Sequence, residues 1–241
     1  MEPSKRFSFA AERGMIGTSC KSRGLARRPP RGAGAGGVCR RGRFATAALL
    51  AAAALGFAAP APACDLSLVL AVDASASVDE DEYALQTLGL ANALRSPDVM
   101  SAILASGGVH ISIFEWSGRW QQVMIVEWKE LDTPVAILAT AARIGANPRQ
   151  YTEFPTSMGA ALGFAQRIME RAPARCVRKV IDVSGDGVHN EGYGPRYAYK
   201  YYDFSNITVN GLVIRGATPD PLPFYYQEVL HGPDAFVEEA A

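Results

Sequence analysis

Residues 65–72, Asp-Leu-Ser-Leu-Val-Leu-Ala-Val, are apolar at nearly every position, the pattern of a strand covered on both faces. The run stops at Asp73, Ser75 and Ser77, three oxygen-bearing side chains at alternate positions, and a burst of acid follows. The period then changes to helical, with Tyr83, Thr87, Leu90 and Leu94 on one face and an Asp79/Glu82 capping box at its start. Residues 96–106 predict a second short helix. The β-rich runs 107–118 and 120–131 are joined by a tight Ser117-Gly118-Arg119 turn, which predicts a hairpin and so one antiparallel edge strand.

Residues 133–148 predict a helix that opens at Thr133-Pro134 and stops at Asn147-Pro148. After the irregular stretch 149–156, residues 157–171 predict another helix, with Met158, Leu162 and Ala165 sharing a face and Thr156 or Ser157 at its mouth. Residues 176–187 read as a buried strand ending in a Gly-rich acidic turn. Beyond it come a helix over 194–206, a core strand over 207–214, a helix over 220–232 and a terminal strand over 234–240. Such alternation predicts a single α/β domain of three layers, a doubly wound, mostly parallel sheet with one antiparallel edge strand. Ligands of such sheets bind at the carboxyl ends of the strands, where strand order reverses.

The first sixty residues have a different character. Residues 1–43 are basic and rich in Gly, Arg, Ser and Pro without a helical or strand period, so they predict an unstructured or misassigned leader. Residues 40–63 read as a signal peptide: a basic start, an apolar run too short and too Pro-bounded to span a membrane, and small residues at Ala61 and Ala63. The domain is expected over 64–241, exported to the periplasm or secreted, touching a membrane only through the cleaved signal.

Charge follows the same division. The whole chain carries 24 basic and 24 acidic residues, but 11 of the basic ones precede Cys64, so the domain holds 13 against 22. An acidic domain of this kind excludes nucleic acid as the expected partner. Of four cysteines, only Cys64 and Cys176 fall within it. In an oxidising compartment they are either one disulfide or two buried thiols; Cys64 could also carry a lipid.

Three oxygen-rich loops fall at the expected carboxyl rim: Asp73, Ser75 and Ser77 in the first, Thr156 in the second, Asp186 in the third. Two carboxylates and three hydroxyls, with no His or Cys, suit a hard divalent cation, Mg²⁺ first and Mn²⁺ or Ca²⁺ as alternatives. Two acids alone leave such an ion short of neutralisation, so it would accept another anion.

Asp-x-Ser-x-Ser, then Thr, then Asp, in that order at three strand ends, resembles the metal-ion-dependent adhesion site of von Willebrand factor A domains. The resemblance extends over residues 65–239, and "VIDVSGDG" with "ITVNGLVI" is similar to a secreted bacterial subfamily known only as a domain of unknown function. It implies Ser75 and Ser77 as direct ligands, Thr156 as a ligand held directly or through water, and Asp73 and Asp186 as supports for coordinated waters. A protein partner's acidic residue would complete the coordination. This chain departs from the pattern at Gly185, where relatives usually carry Thr or Ser. The family's strand order also implies that the strands bearing Asp73 and Asp186 are neighbours, which brings Cys64 and Cys176 together at their far ends as a disulfide.

His189, Glu191 and Trp116 are expected on the partner-facing rim. Asp182 is expected to be buried and hydrogen-bonded, His110 to be packed in the core, and the tyrosines of 197–202 to form a helix packing face. A hydrolase or phosphatase is the competing class. The apolar strand ending in Asp fits it, but Ser75 stands where a phosphatase of the haloacid dehalogenase type has its second Asp, and no nucleophile elbow or phosphate-cradling loop is present. A degenerate domain that folds without metal is the third possibility.

Overall fold

The computed structural model describes residues 64–173 and 176–240. The leader and signal peptide expected over 1–63 lie outside them. Chain order is β1 (Cys64–Asp73), α1 (Glu80–Arg95), α2 (Pro97–Ala105), β2 (Val109–Trp116), β3 (Gln122–Glu130), α3 (Pro134–Gly145), α4 (Met158–Glu170), β4 (Cys176–Gly185), α5 (Pro195–Tyr201), β5 (Thr208–Ile214), α6 (Leu222–Phe224, continuing as a π-helical turn over Tyr225–Val229) and β6 (Val237–Ala240).

These strands form one sheet in the order β3-β2-β1-β4-β5-β6, parallel throughout except for β3, which pairs antiparallel with β2. Strand order therefore reverses between β1 and β4. The expected α/β class and antiparallel edge are both present. The tight turn is not: β2 and β3 are separated by the five residues 117–121, closed by Ser117 N–H donating to the Gln121 carbonyl at 3.0 Å.

Alternate residues of the buried strands serve opposite faces, as a strand period of two dictates. Val69 and Ala71 of β1, Phe114 and Trp116 of β2, and Ile181 and Val183 of β4 join Met158, Leu162 and Ala165 of α4 with Tyr225 and Val229 in one core. Leu70 and Val72, with Ile111 and Ile113, join Tyr83, Leu94, Ile137 and Ile144 of α1 and α3 in the other. Helix α1 starts with the expected capping box, Asp79 accepting from Glu82 N–H at 2.8 Å and Glu82 from Asp79 N–H at 2.9 Å.

Three expectations need correction. The helix expected over 220–232 is only one α-turn followed by the π-helical turn, in which Leu230 N–H reaches the Tyr225 carbonyl. The terminal strand is confined to four residues. Of the tyrosines in α5, Tyr197 and Tyr201 are exposed and stack on each other, while Tyr199 packs inward.

Cys64 and Cys176 pair directly in the β1–β4 register and form a disulfide, with Cα atoms 4.6 Å apart and a sequence separation of 112. His110 is buried beside them, and its ligand atom and both sulfurs lie within 4.8 Å of one another. The sulfurs are committed to each other, so this trio offers no thiolate. No helix among the described residues is long and apolar enough to cross a membrane.

Candidate metal centre

The carboxyl ends of β1 and β4 deliver Asp73 and Asp186 to neighbouring positions at the switch point, and the N-terminal approach to α4 delivers Thr156. These side chains form one connected string of oxygens. Thr156 Oγ1 donates to Ser75 Oγ at 3.2 Å, Ser75 Oγ lies 3.2 Å from Ser77 Oγ, and Ser77 Oγ donates to Asp186 Oδ1 at 2.8 Å. Asp73 Oδ1 accepts from Ser75 N–H at 2.8 Å, closing the first loop on itself. Asp73, Ser75, Thr156 and Asp186 are buried and Ser77 is exposed, so the string opens to solvent at Ser77, between its two buried ends.

The spacing fits a cation. Oxygens bound to Mg²⁺ at ~2.1 Å in an octahedron lie ~3 Å from their neighbours, and the three side-chain separations of 2.8 to 3.2 Å match it. The donor set is oxygen throughout. Asp73 Oδ2, fully buried, has no hydrogen-bond partner.

Electrostatics favour a positive guest as well. Burial pushes the Asp73 carboxyl up to about 7, eased by its bonds from Ser75 and aggravated by the neighbouring Asp186 charge. Burial raises Asp186 too, against the bond from Ser77. A cation would replace the lost water and favour the ionised form of both acids.

A second set of residues holds the loops in place, and sequence reasoning missed it. Gln86 of α1 accepts from Asp73 N–H at 3.3 Å and donates to the Asp73 carbonyl at 3.0 Å, while Ser184 Oγ donates to Gln86 Oε1 at 2.6 Å. One amide thus ties the ends of β1 and β4. Arg149 donates to the carbonyls of Ala74 and Ser75 at 3.2 and 2.8 Å, and its charge lowers both carboxyls. Asn190 Oδ1 accepts from Thr156 N–H at 2.8 Å. Glu115, itself pushed up by burial, accepts from Tyr83 Oη at 2.7 Å and Gln150 N–H at 2.8 Å, anchoring the loop that carries Arg149. A buried Gln on the inner face of a helix that runs back from the motif was the one signal available.

The rim differs in part from expectation. Trp116 is wholly buried in the α4-side core, because β2 points it at the sheet face rather than along the strand, so it offers nothing to a partner. The exposed indole is Trp120, 81% accessible at the tip of the β2–β3 loop. Glu191 fastens that loop, accepting from Arg119 N–H at 2.9 Å and Nε–H at 3.3 Å, while its own carbonyl accepts from Ser157 Oγ at 2.9 Å. His189 is half-buried, and burial lowers its pKa. Asp182 is hydrogen-bonded by Asn210 at 2.8 Å and stands outside the oxygen string; His110 is buried in β2.

Below the string, the missing side chain of Gly185 makes room for two neighbours. A Cβ there would sit 2.6 Å from Asp73 Oδ2 and 2.8 Å from Tyr225 Oη. Tyr225 is fully buried, its hydroxyl also lacks a partner, and burial beside the two carboxylates raises its pKa well above the ordinary tyrosine value.

The family described as "Protein of unknown function (DUF1194)" matches residues 63–241. No curated protein matches the chain. Among solved structures, the pilus adhesin SpaC from Lactobacillus rhamnosus GG in its open conformation is similar with a TM-score of 0.54 at 15% identity, over 74% of this chain and 28% of that one. A von Willebrand factor type A protein from Catenulispora acidiphila gives 0.53 at 17% identity, over 74% and 39%. Proximal thread matrix protein 1 from the mussel byssus gives 0.55 at 14% identity, over 75% and 45%. The chain therefore spans less than half the length of these neighbours, and the likeness establishes a von Willebrand factor A-like fold.

Proposed function

From a chain that belongs to the family described as "Protein of unknown function (DUF1194)", we propose an exported binding module that holds a divalent cation, Mg²⁺ or a similar ion, and through it an acidic group on a protein partner. Ser75, Ser77 and Thr156 would hold the ion through their hydroxyls, with Asp73 and Asp186 supporting its waters. The bound ion would supply a fixed positive charge with an open coordination position. The single observation that carries this reading is the oxygen string joining three loops at octahedral spacing. Similarity in fold to a pilus adhesin is consistent with a surface-binding role. Residues 40–63 would act as the export signal, leaving the domain periplasmic or secreted.

A carboxylate arriving at the ion would meet a rim made by His189, Glu191 and, in place of Trp116, the exposed Trp120. Trp120 suits an anchor because the loop beneath it is tied to the site through Glu191, so little ordering is needed on binding.

Calorimetric titration with Mg²⁺ and Mn²⁺ tests the reading. The wild-type domain should bind one ion, and Asp73→Ala should lose binding while keeping its circular dichroism spectrum. Unchanged binding in that variant would refute the assignment. Pull-down from extract with and without chelator then tests partner capture, and turnover in a phosphatase and esterase screen, lost on Asp73→Ala, would move the chain to the enzyme class.

A further inference from the structure

Two strands give up a side chain in the same place. Gly185 closes β4 and Gly211 lies in the middle of β5, both on the sheet face that carries α4 and α6. Glycine inside a buried strand costs packing and backbone entropy, so a close approach by another group is the usual reason for it. Here that group is Tyr225. A Cβ on Gly211 would meet the ring at 2.5 Å, and one on Gly185 would meet the hydroxyl at 2.8 Å. The pair of glycines makes a slot through which the phenol crosses β5 and β4 toward β1. It ends beside Asp73 Oδ2, within 3 Å of the same point.

Both facing atoms, Tyr225 Oη and Asp73 Oδ2, are buried, and neither has a hydrogen-bond partner among the described residues. Leaving both unsatisfied costs the full desolvation penalty of each group. A phenol can donate one hydrogen bond and an ionised carboxylate can only accept, so the two are complementary. The π-helical turn that begins at Tyr225 sets the ring at this depth, and irregular turns of that kind recur at functional sites.

We infer that Tyr225 is a positioning residue of the cation site: its hydroxyl faces Asp73 Oδ2 across Gly185 without yet bonding to it, and a small closing movement or one bridging water lets it donate to that oxygen and fix the carboxylate that orients the ion's waters. It supplies from the distant end of the chain the hydroxyl that Gly185 cannot. The inference rests on the reading of Asp73 as part of a cation site, and its test is built to separate the two.

In chelator at pH 8, urea midpoints are measured for wild type, Tyr225→Phe, Asp73→Ala and the double variant. Coupling through the hydroxyl predicts that Tyr225→Phe lowers the midpoint of wild type but not that of Asp73→Ala. Mn²⁺ titration of Tyr225→Phe should show at least a tenfold weaker affinity than wild type, the loss typical when a ligand's outer partner is removed. Additive midpoints, or an unchanged Mn²⁺ affinity in a wild type that binds the ion, overturn the inference. Should wild type bind no Mn²⁺, the proposed function fails and the urea cycle alone decides: non-additivity supports the Tyr225–Asp73 contact and additivity overturns it.

Discussion

At their amino ends β1 and β4 are joined covalently by Cys64 and Cys176, whereas at their carboxyl ends the same strands deliver Asp73 and Asp186 as buried carboxylates held only by hydrogen bonds. The first end is closed and its polar chemistry is spent. At the second, charge is kept out of water at a cost, with one carboxylate oxygen left without a hydrogen-bond partner among the described residues. The contrast teaches that rigidity and reactivity are assigned to opposite ends of one strand pair.

The largest test of that contrast removes the clamp. Cys64→Ala with Cys176→Ala opens a loop closed across a sequence separation of 112 and should lower unfolding free energy by roughly 5 kcal/mol in the chain-entropy view, read from urea midpoints. Mg²⁺ affinity should change less than about threefold, since the ends are far apart on the strands and such distant sites add independently. A collapse of affinity would show that the ends are not independent.

Next in size, Asp73→Ala should weaken Mg²⁺ by about 100-fold or more, equivalent to ~2.7 kcal/mol, while metal-free stability stays within ~1 kcal/mol, because the lost bond to Ser75 is offset by removing a buried charge. Calorimetry and urea unfolding give the two numbers.

Acidification distinguishes the rims by sign. Asp73 is raised from 3.8 to about 7 and Asp182 from 3.8 to about 6 by burial. Between those limits the folded chain binds more protons than the unfolded one, so stability falls as pH rises from about 4 to 7. Metal-free protein should therefore melt higher at pH 5 than at pH 7.5, by about 4 °C for ~2 kcal/mol. Saturating Mg²⁺ should reverse the trend, because the ion needs ionised carboxylates. Smallest of all, Glu191→Gln loosens the Arg119 tie, a part-exposed ion pair worth under ~1 kcal/mol; it should leave stability and Mg²⁺ affinity nearly unchanged and matter only to partner capture.

The five oxygen-bearing residues were readable because each sits within a few positions of a strand or helix end, where periodicity breaks visibly. The strand order and the disulfide followed from resemblance to a fold, and the register bears them out. Gln86, Arg149 and Tyr225 were not readable, since each reaches the site from another element and only packing decides which polar side chain turns inward. Trp116 was misplaced for a related reason. Proximity to a strand's end says nothing about which face its side chain takes, and the single-residue alternation of β2 sends it into the core. The helix expected over 220–232 failed because a pattern of apolar residues cannot reveal a π-helical turn.

The β6 edge is a poor template for a second molecule. That strand is only four residues long, and its two central positions, Glu238 and Glu239, are exposed. Glu239 is ion-paired with Arg215 at 2.7 Å, so Glu238 is the charge left to repel the same border on a second molecule, and the short strand gives that molecule little backbone to template on. Crowded copies are thereby kept from stacking into fibres along the one parallel margin of the sheet that another strand could extend.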